Sequence, residues 1–429
     1  LVLLLRRNPG RIDVTPGNHQ QTASASPDAL IALLQALVRI PSPNPGGDTR
    51  SIAGFIHETL NRPGVQIRSV APDTKPQAVS VIGQVGQGRP VVMLHAHIDT
   101  VPVAQDEAAH WHVDPYAAVI EDGKLYGKGA IDDKAPLAAM MQVFLEVAAT
   151  PAALRGTLVL VAAAEEEVGG RLGTYWMAQA GLLPTCDFII VGEQTANRAA
   201  TAHKGVMRAT IRATGRSVHA TNPDRGVNAI TAIAHAVLAL DAYHARLRER
   251  RHPQAGSPTC NVGVIQGGST ANAVPDTCMV QIDRRMIPHE DPAAVQQEII
   301  DVIAGVDVGS GQPGGGATLT VGDFLVSNWF DSTCTGALGR EFLKCIQAEL
   351  QADPGPIGYL PGSDAKHLTG LLRPPAGNPS GESEKGEMVI FGPGSYEVAH
   401  AFDEYVQLDD VTQTAAILRR FMQSTLTQP

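Results

Sequence analysis

The 429-residue sequence has no close pair among its five cysteines, Cys186, Cys260, Cys278, Cys334 and Cys345. A cysteine-built zinc knuckle or redox motif is therefore excluded, and reduced, mostly buried thiols are expected, which favours a cytoplasmic location. Positive charge is short: 33 Lys and Arg stand against 43 Asp and Glu, a formal net charge of -10, with a pI near 5.8. That balance argues against a nucleic-acid or anionic-membrane partner. A long apolar run is also missing, since the opening LVLLLRRNPGR has too few apolar residues before its arginines to span a bilayer. Residues 1–26 are read as an N-terminal extension, a truncated leader or an upstream start, outside the folded part. The Gly-rich stretch 123–129 (GKLYGKG) lacks the Walker spacing and its Ser/Thr, so it is a turn and not a phosphate loop.

What remains is globular in composition, with 44% hydrophobic and 18% charged residues. The length suggests two domains. Helical periodicity predicts helices over 28–40, 48–61 and 135–148, and apolar runs predict strands over 79–85, 91–98, 157–164 and 186–192. The last two runs are continuous, as in strands buried on both faces of a sheet flanked by helices.

Three of these strands end in acid. The run 91–103 (VVMLHAHIDTVPV) delivers His95, His97 and Asp99, which alternation places on one face. A neutral imidazole is a common metal ligand and usually needs a carboxylate or carbonyl on its other nitrogen. Strand 157–164 ends in Glu165, Glu166 and Glu167 before a glycine pair, and strand 186–192 delivers Glu193. Open α/β sheets place their sites at the carboxyl ends of such strands. Asp132 and Asp133 follow a Gly-rich turn at a helix start, and although they are ordinary capping residues there, a carboxylate so placed can bridge two cations.

From Gly205 the texture changes to β-α-β-β-α-β: strand 206–213, helix 228–248, strands 259–265 and 278–283, helix 292–303 and strand 317–322. That order is a ferredoxin-like split βαβ unit. Residues 206–323 are accordingly read as a second domain inserted between the two parts, 27–205 and 324–429, of the first, with strand 206–213 as an edge open to pairing. The second part carries a helix over 338–352, Ser363 in GSDA, a loop over 374–387, a strand over 388–391, His400 and Glu404.

Ten blocks in order, HAHIDTVP, LYGKGAIDDK, AEEEVGG, VGEQT, HKG, GRSVHATNPDRGVNAI, GGSTANAVPDTC, IDRRMIP, GSDA and FGPGSYEVAH, resemble the dinuclear zinc aminoacylase and carboxypeptidase family. That family includes acetylornithine deacetylases, succinyl-diaminopimelate desuccinylases, glutamate carboxypeptidases and dipeptidases. The resemblance covers about residues 27–425. It implies an α/β zinc-peptidase-type catalytic domain with a central, mostly parallel sheet, plus an inserted α+β lid and dimerisation domain.

By the same resemblance, His97 and Glu193 would bind one zinc, Glu167 and His400 another, and Asp132 would bridge them, with cobalt or manganese as substitutes. The peptide after Asp132 would be cis. Asp99 would orient His97, and Glu166 would be the general base. His219 would stabilise the oxyanion from the neighbouring subunit of a homodimer, while Asn272, Arg285 and Ser363 would contact substrate. As residues alone, His219, Asn272 and Arg285 read as a surface histidine, a turn asparagine and an edge-strand arginine. Asp133-Lys134 looks like the dipeptidase branch, whereas IDTVP and IDRRMIP look like the deacylase branch. Gln194, Ala135 and Phe402 stand where the family usually has proline, glycine and proline. The expected activity is hydrolysis of an N-acyl amino acid, with dipeptide or carboxypeptidase cleavage as the alternative. A non-catalytic metal-binding assembly module is the competing class, and retention of Glu166 with all five ligands argues against it.

Overall fold

A computed structural model describes residues 26–104, 107–309, 315–374 and 386–427. The expected N-terminal extension, apart from Ser26, and most of the 374–387 loop lie outside the described residues.

Nine strands among the described residues form the larger sheet. Its centre is a parallel quartet in the order Gly156–Ala163, Val91–His97, Phe188–Val191, Glu387–Ile390. Antiparallel strands Ser80–Gln87 and Gln66–Val70 flank one side, and Ala200–His203 with its neighbours flanks the other. Parallel strands buried on both faces need apolar side chains in every position, and Gly156–Ala163 is buried throughout. Leu158, Leu160 and Ala162 pack into one core layer, while Val159, Val161 and Ala163 pack into the opposite one.

Helix Ala135–Ala148 and helix Leu408–Leu426 fill the first layer, with Phe188, Phe342, Phe391 and Phe421 in the same core. The register aligns the strand ends, with His97 opposite Ala163, His95 opposite Val191 and Ile390 opposite Val191. Chain segments leaving the quartet therefore emerge side by side at one rim.

Residues 205–327 build a separate four-stranded antiparallel sheet in the order Thr259–Gly267, Thr277–Met286, Gly205–Thr214, Thr318–Ser327. Helices Ala229–Leu247 and Pro292–Ala304 cover it and share its apolar cluster. The β-α-β-β-α-β order is thus present, but one expectation is overturned. Gly205–Thr214 is a central strand, paired on both sides, and is not the edge. The first strand of a split βαβ unit receives both the third and the fourth strand, so its backbone groups are already used. The edges are Thr259–Gly267 and Thr318–Ser327. Arg285, on Thr277–Met286, is likewise interior to the sheet.

Three short strands, Tyr405–Gln407, Lys124–Tyr126 and Val119–Glu121, form a small third sheet. It ties the segment after His400 to the segment before Asp132. No helix among the described residues is long and apolar enough to cross a membrane.

Candidate active site

At the rim of the parallel quartet, His97, Asp132 and Glu193 offer ligand atoms all within 4.8 Å of one another, and Asp132, Glu167 and His400 do the same. Asp132 is common to both groups: its Oδ1 lies 2.9 Å from His97 Nε2 and its Oδ2 lies 3.1 Å from His400 Nε2. His400 Nε2 is also 3.4 Å from Glu167 Oε2. The peptide between Asp132 and Asp133 is cis.

Backbone contacts hold each piece. Asp133 Oδ2 accepts from the His97 N–H at 3.0 Å, and Glu404 Oε1 accepts from the Ile131 and Asp132 N–H groups at 3.1 and 3.4 Å. The carboxylate of Asp99 accepts from the N–H groups of Glu166 and Glu167 at 3.1 and 3.2 Å. Asp99 thereby fixes the turn Glu166–Val168. Its nearest contact with His97 is made by its carbonyl, 2.9 Å from Nδ1, while its carboxylate stands 3.7 Å away.

The three successive glutamates have separate surroundings. Glu165, at φ 74°, accepts from Lys75 Nζ at 2.7 Å and Asn44 Nδ2 at 3.0 Å, which makes it part of the scaffold. Glu167 Oε1 accepts from the Val101 N–H at 3.1 Å, leaving Oε2 on the His400 side. Glu166 faces Lys366, whose Nζ is 3.6 Å from its carboxylate. Burial pushes the Glu166 carboxyl up to about 7, against the opposing charge of Lys366.

The donor set fits divalent cations. Burial, and then the neighbouring Asp132 charge, hold Glu193 well above the usual carboxylate range. Burial also raises Glu167, and hydrogen bonds from His400 pull it back. Such a concentration of buried carboxylates calls for cations. The His97 contacts agree: a carbonyl only accepts, so Nδ1 donates to Asp99, and Nε2 is the nitrogen that faces the centre. A third group, His252, His289 and Asp331, is comparably close. There His252 Nδ1 accepts from the N–H groups of Gln254 and Ala255, so its proton sits on Nε2, the nitrogen that faces Asp331. That histidine is set up as a donor and does not fit a metal.

The inserted part brings His219 and Asn272 together, through the bridge between His219 and Ala273 and the Ala220 N–H to Asn272 carbonyl bond of 3.0 Å. Both side chains are exposed, and the hydrogen bonds of His219 stay within this part. Arg285 is half-buried with Nε 2.7 Å from Asp283, whereas Arg284, on the other face, is buried against Tyr243 and Glu290. Ser363 is fully buried, and its hydroxyl accepts from the Ala365 N–H at 3.3 Å. That hydrogen bond is local to its own loop.

Four residues around the centre were not among the sequence candidates in these roles. They are Glu404, which holds the Asp132 backbone, Lys366 at Glu166, and Tyr359 with Gln194 at Glu193. Glu404 alone had a readable signal, an acid four residues past His400.

Residues 93–424 match peptidase family M20/M25/M40. The chain is 28% identical to acetylornithine deacetylase of Edwardsiella ictaluri over 414 residues, covering 92% of this chain and 97% of that one. It is 34% identical to acetylornithine deacetylase of Shigella sonnei over 342 residues, covering 79% and 81%. A tripeptidase structure from Staphylococcus aureus superposes with a TM-score of 0.70 at 22% identity, covering 93% of this chain and 98% of that one. With the rim of the sheet supplying two joined groups of nitrogen and carboxylate donors, the chain belongs to peptidase family M20/M25/M40 and is a metal-dependent amide hydrolase.

Proposed function

We propose that the protein hydrolyses the amide bond of an N-acyl amino acid bearing a free carboxylate, at a pair of zinc ions for which cobalt or manganese can substitute. The observation that carries this reading is a largely buried carboxylate, Glu166, standing outside both ligand groups and beside their three carboxylates and two histidines. His97 and Glu193 would hold one ion, Glu167 and His400 the other, and Asp132 both. When bound, two such ions polarise water and the scissile carbonyl and bring the pKa of water toward about 7.

Glu166 takes the proton from the attacking water as the O–C bond forms, and returns it to the nitrogen as the C–N bond breaks. Asp99 aims both glutamates through the N–H groups it accepts and sets the His97 tautomer through its carbonyl. Arg285 and Asn272 bind the substrate carboxylate, for which a guanidinium is well matched.

The relatives named as acetylornithine deacetylases support deacylation over dipeptide cleavage. The dipeptide Asp133-Lys134, which resembles the dipeptidase branch, is turned inward: Lys134 is buried and its Nζ donates to the Ile40 carbonyl at 2.9 Å. A panel of N-acetyl and N-succinyl amino acids, dipeptides and their carboxyl amides tests the assignment. N-acyl amino acids should be turned over fastest, and amidating the carboxylate should raise KM. Faster cleavage of dipeptides, or indifference to the carboxylate, would overturn it.

The active protein in this reading is a cytoplasmic homodimer joined through residues 206–323, in keeping with its five free cysteines. Edge strands invite pairing, and the two edges here expose Val264, Ile265, Leu325 and Val326. His219 of one subunit would then reach the cleft of the other and stabilise the oxyanion, a contribution of roughly 10²–10³ in kcat for a comparable donor. His219→Ala and Glu166→Gln dimers should each be nearly inactive. Mixing them under conditions of subunit exchange should recover activity, because one site of the mixed dimer keeps both residues. A mixture that exchanges and stays inactive would rule out the shared site.

A further inference from the structure

Glu193 differs from the other members of the centre in what supports it. Glu167 is braced by the Val101 N–H, and the backbone carrying Asp132 is held by Glu404, which accepts from the Asp132 N–H. Glu193 is held by two side chains, the Tyr359 hydroxyl 2.9 Å from its Oε2 and Gln194 Nε2 3.2 Å from the same oxygen. The Tyr359 hydroxyl also lies 2.8 Å from Gln194 Oε1, which closes a three-membered ring of contacts.

All three residues are buried, at 4%, 2% and 3% exposure for Glu193, Gln194 and Tyr359. An ionised carboxylate only accepts, so an amide proton turns to Oε2, and the single phenol proton lies between Oε2 and Gln194 Oε1, the two acceptors it faces. The other oxygen, Oε1, is the one left for an ion. The amide orientation is set by the same ring, since reversing it would bring its carbonyl against the carboxylate.

Tyr359 comes from a distant part of the chain. It ends the short strand Ile357–Tyr359, which pairs in parallel with Ala200–His203 at the far flank of the large sheet. Its ring packs edge-on against Tyr396, with centroids 6.3 Å apart, in the turn that precedes His400. The phenol is therefore positioned by strand pairing and ring packing, and it does not depend on Glu193 for its place. Gln194 Nε2 additionally lies 3.5 Å from the Ile131 carbonyl, next to Asp132.

We propose that Tyr359 and Gln194 form a clamp that fixes Glu193 as a one-oxygen ligand, so that loading of the His97, Asp132 and Glu193 half of the centre depends on them while the Glu167 and His400 half does not. The inference rests on the reading of these groups as metal ligands. Tyr359 and Gln194 are positioning residues: neither touches the ion or the substrate. Partners that orient a ligand from behind commonly contribute 10–100-fold to affinity, so roughly that loss is expected at one of the two sites.

The test is calorimetric titration of metal-free, full-length protein with zinc, for the wild type, Tyr359→Phe and, as a second variant, Gln194→Leu. Wild type should bind two ions. Each variant should show one binding step weakened about 10–100-fold and the other unchanged, and cobalt loaded at one equivalent should give a single-site absorption spectrum in the variants. A purely structural role would instead lower both steps together, or neither. Two unchanged steps in Tyr359→Phe, or equal losses at both, would overturn the clamp. A wild type that binds fewer than two ions would overturn the paired-ion reading itself, a distinct result.

Discussion

Removing metal from the purified protein by chelation is expected to abolish amide hydrolysis, and adding zinc, cobalt or manganese to restore it. No serine, cysteine or lysine at the rim is proposed as a nucleophile, and Glu166 on its own is too weak a base to make water attack an amide. The structure adds a second readout. Asp132, Glu167, Glu193 and Asp133 crowd together, and burial raises the pKa of Asp133, Glu167 and Glu193, so the metal-free centre carries unfavourable charge. A cation that binds only the folded chain stabilises it by about 2.7 kcal/mol at a free concentration of 100 times its Kd. The melting temperature should therefore climb with added zinc in the absence of any substrate. Full turnover by protein shown to hold less than stoichiometric metal would sink the mechanism.

Much of that centre is legible in the chain because three of the five candidate ligands, His97, Glu167 and Glu193, follow a buried run. The run into His97, the apolar strand into the triple glutamate and the strand into Glu193 are continuous enough to be read as parallel strands, and parallel register then brings their ends together. Other parts have no such signal. Tyr359 lies on a three-residue strand, too short for a pattern, and its partner strand is some 150 residues earlier in the chain. Strand Gln66–Val70 has a mostly exposed, non-alternating face, and the small third sheet is built from three-residue pieces.

Orientation is harder still. Spacing places Asp99 beside His97 but does not show that its carbonyl makes the nearest contact and its carboxylate caps the glutamate turn. In the inserted part the elements and their order are readable from periodicity. The edge is not, because sheet order follows the crossovers and not the sequence order of the strands.

The triple glutamate gives the sharpest discrimination between base and ligand. Glu166→Gln keeps size and polarity but cannot accept the proton from water, and it should lower kcat by roughly 10²–10⁴-fold. KM, metal content and melting temperature should stay near wild type, the signature of an interaction lost only in the transition state. Glu167→Gln sits one residue on in the same turn, held by the same Asp99 carboxylate, yet its outcome should differ. Its Oε2 faces His400 and its Oε1 is anchored by the Val101 N–H, so an amide there puts a donor where a ligand or an acceptor is needed. That variant should retain close to one ion per chain in place of two, and lose activity for want of the second. Because the two substitutions are chemically identical and adjacent, general damage to the turn would move both proteins alike. Metal analysis alone then separates the roles: a Glu166→Gln protein short of metal beside a fully loaded Glu167→Gln protein would mean that base and ligand have been assigned to the wrong members of the pair.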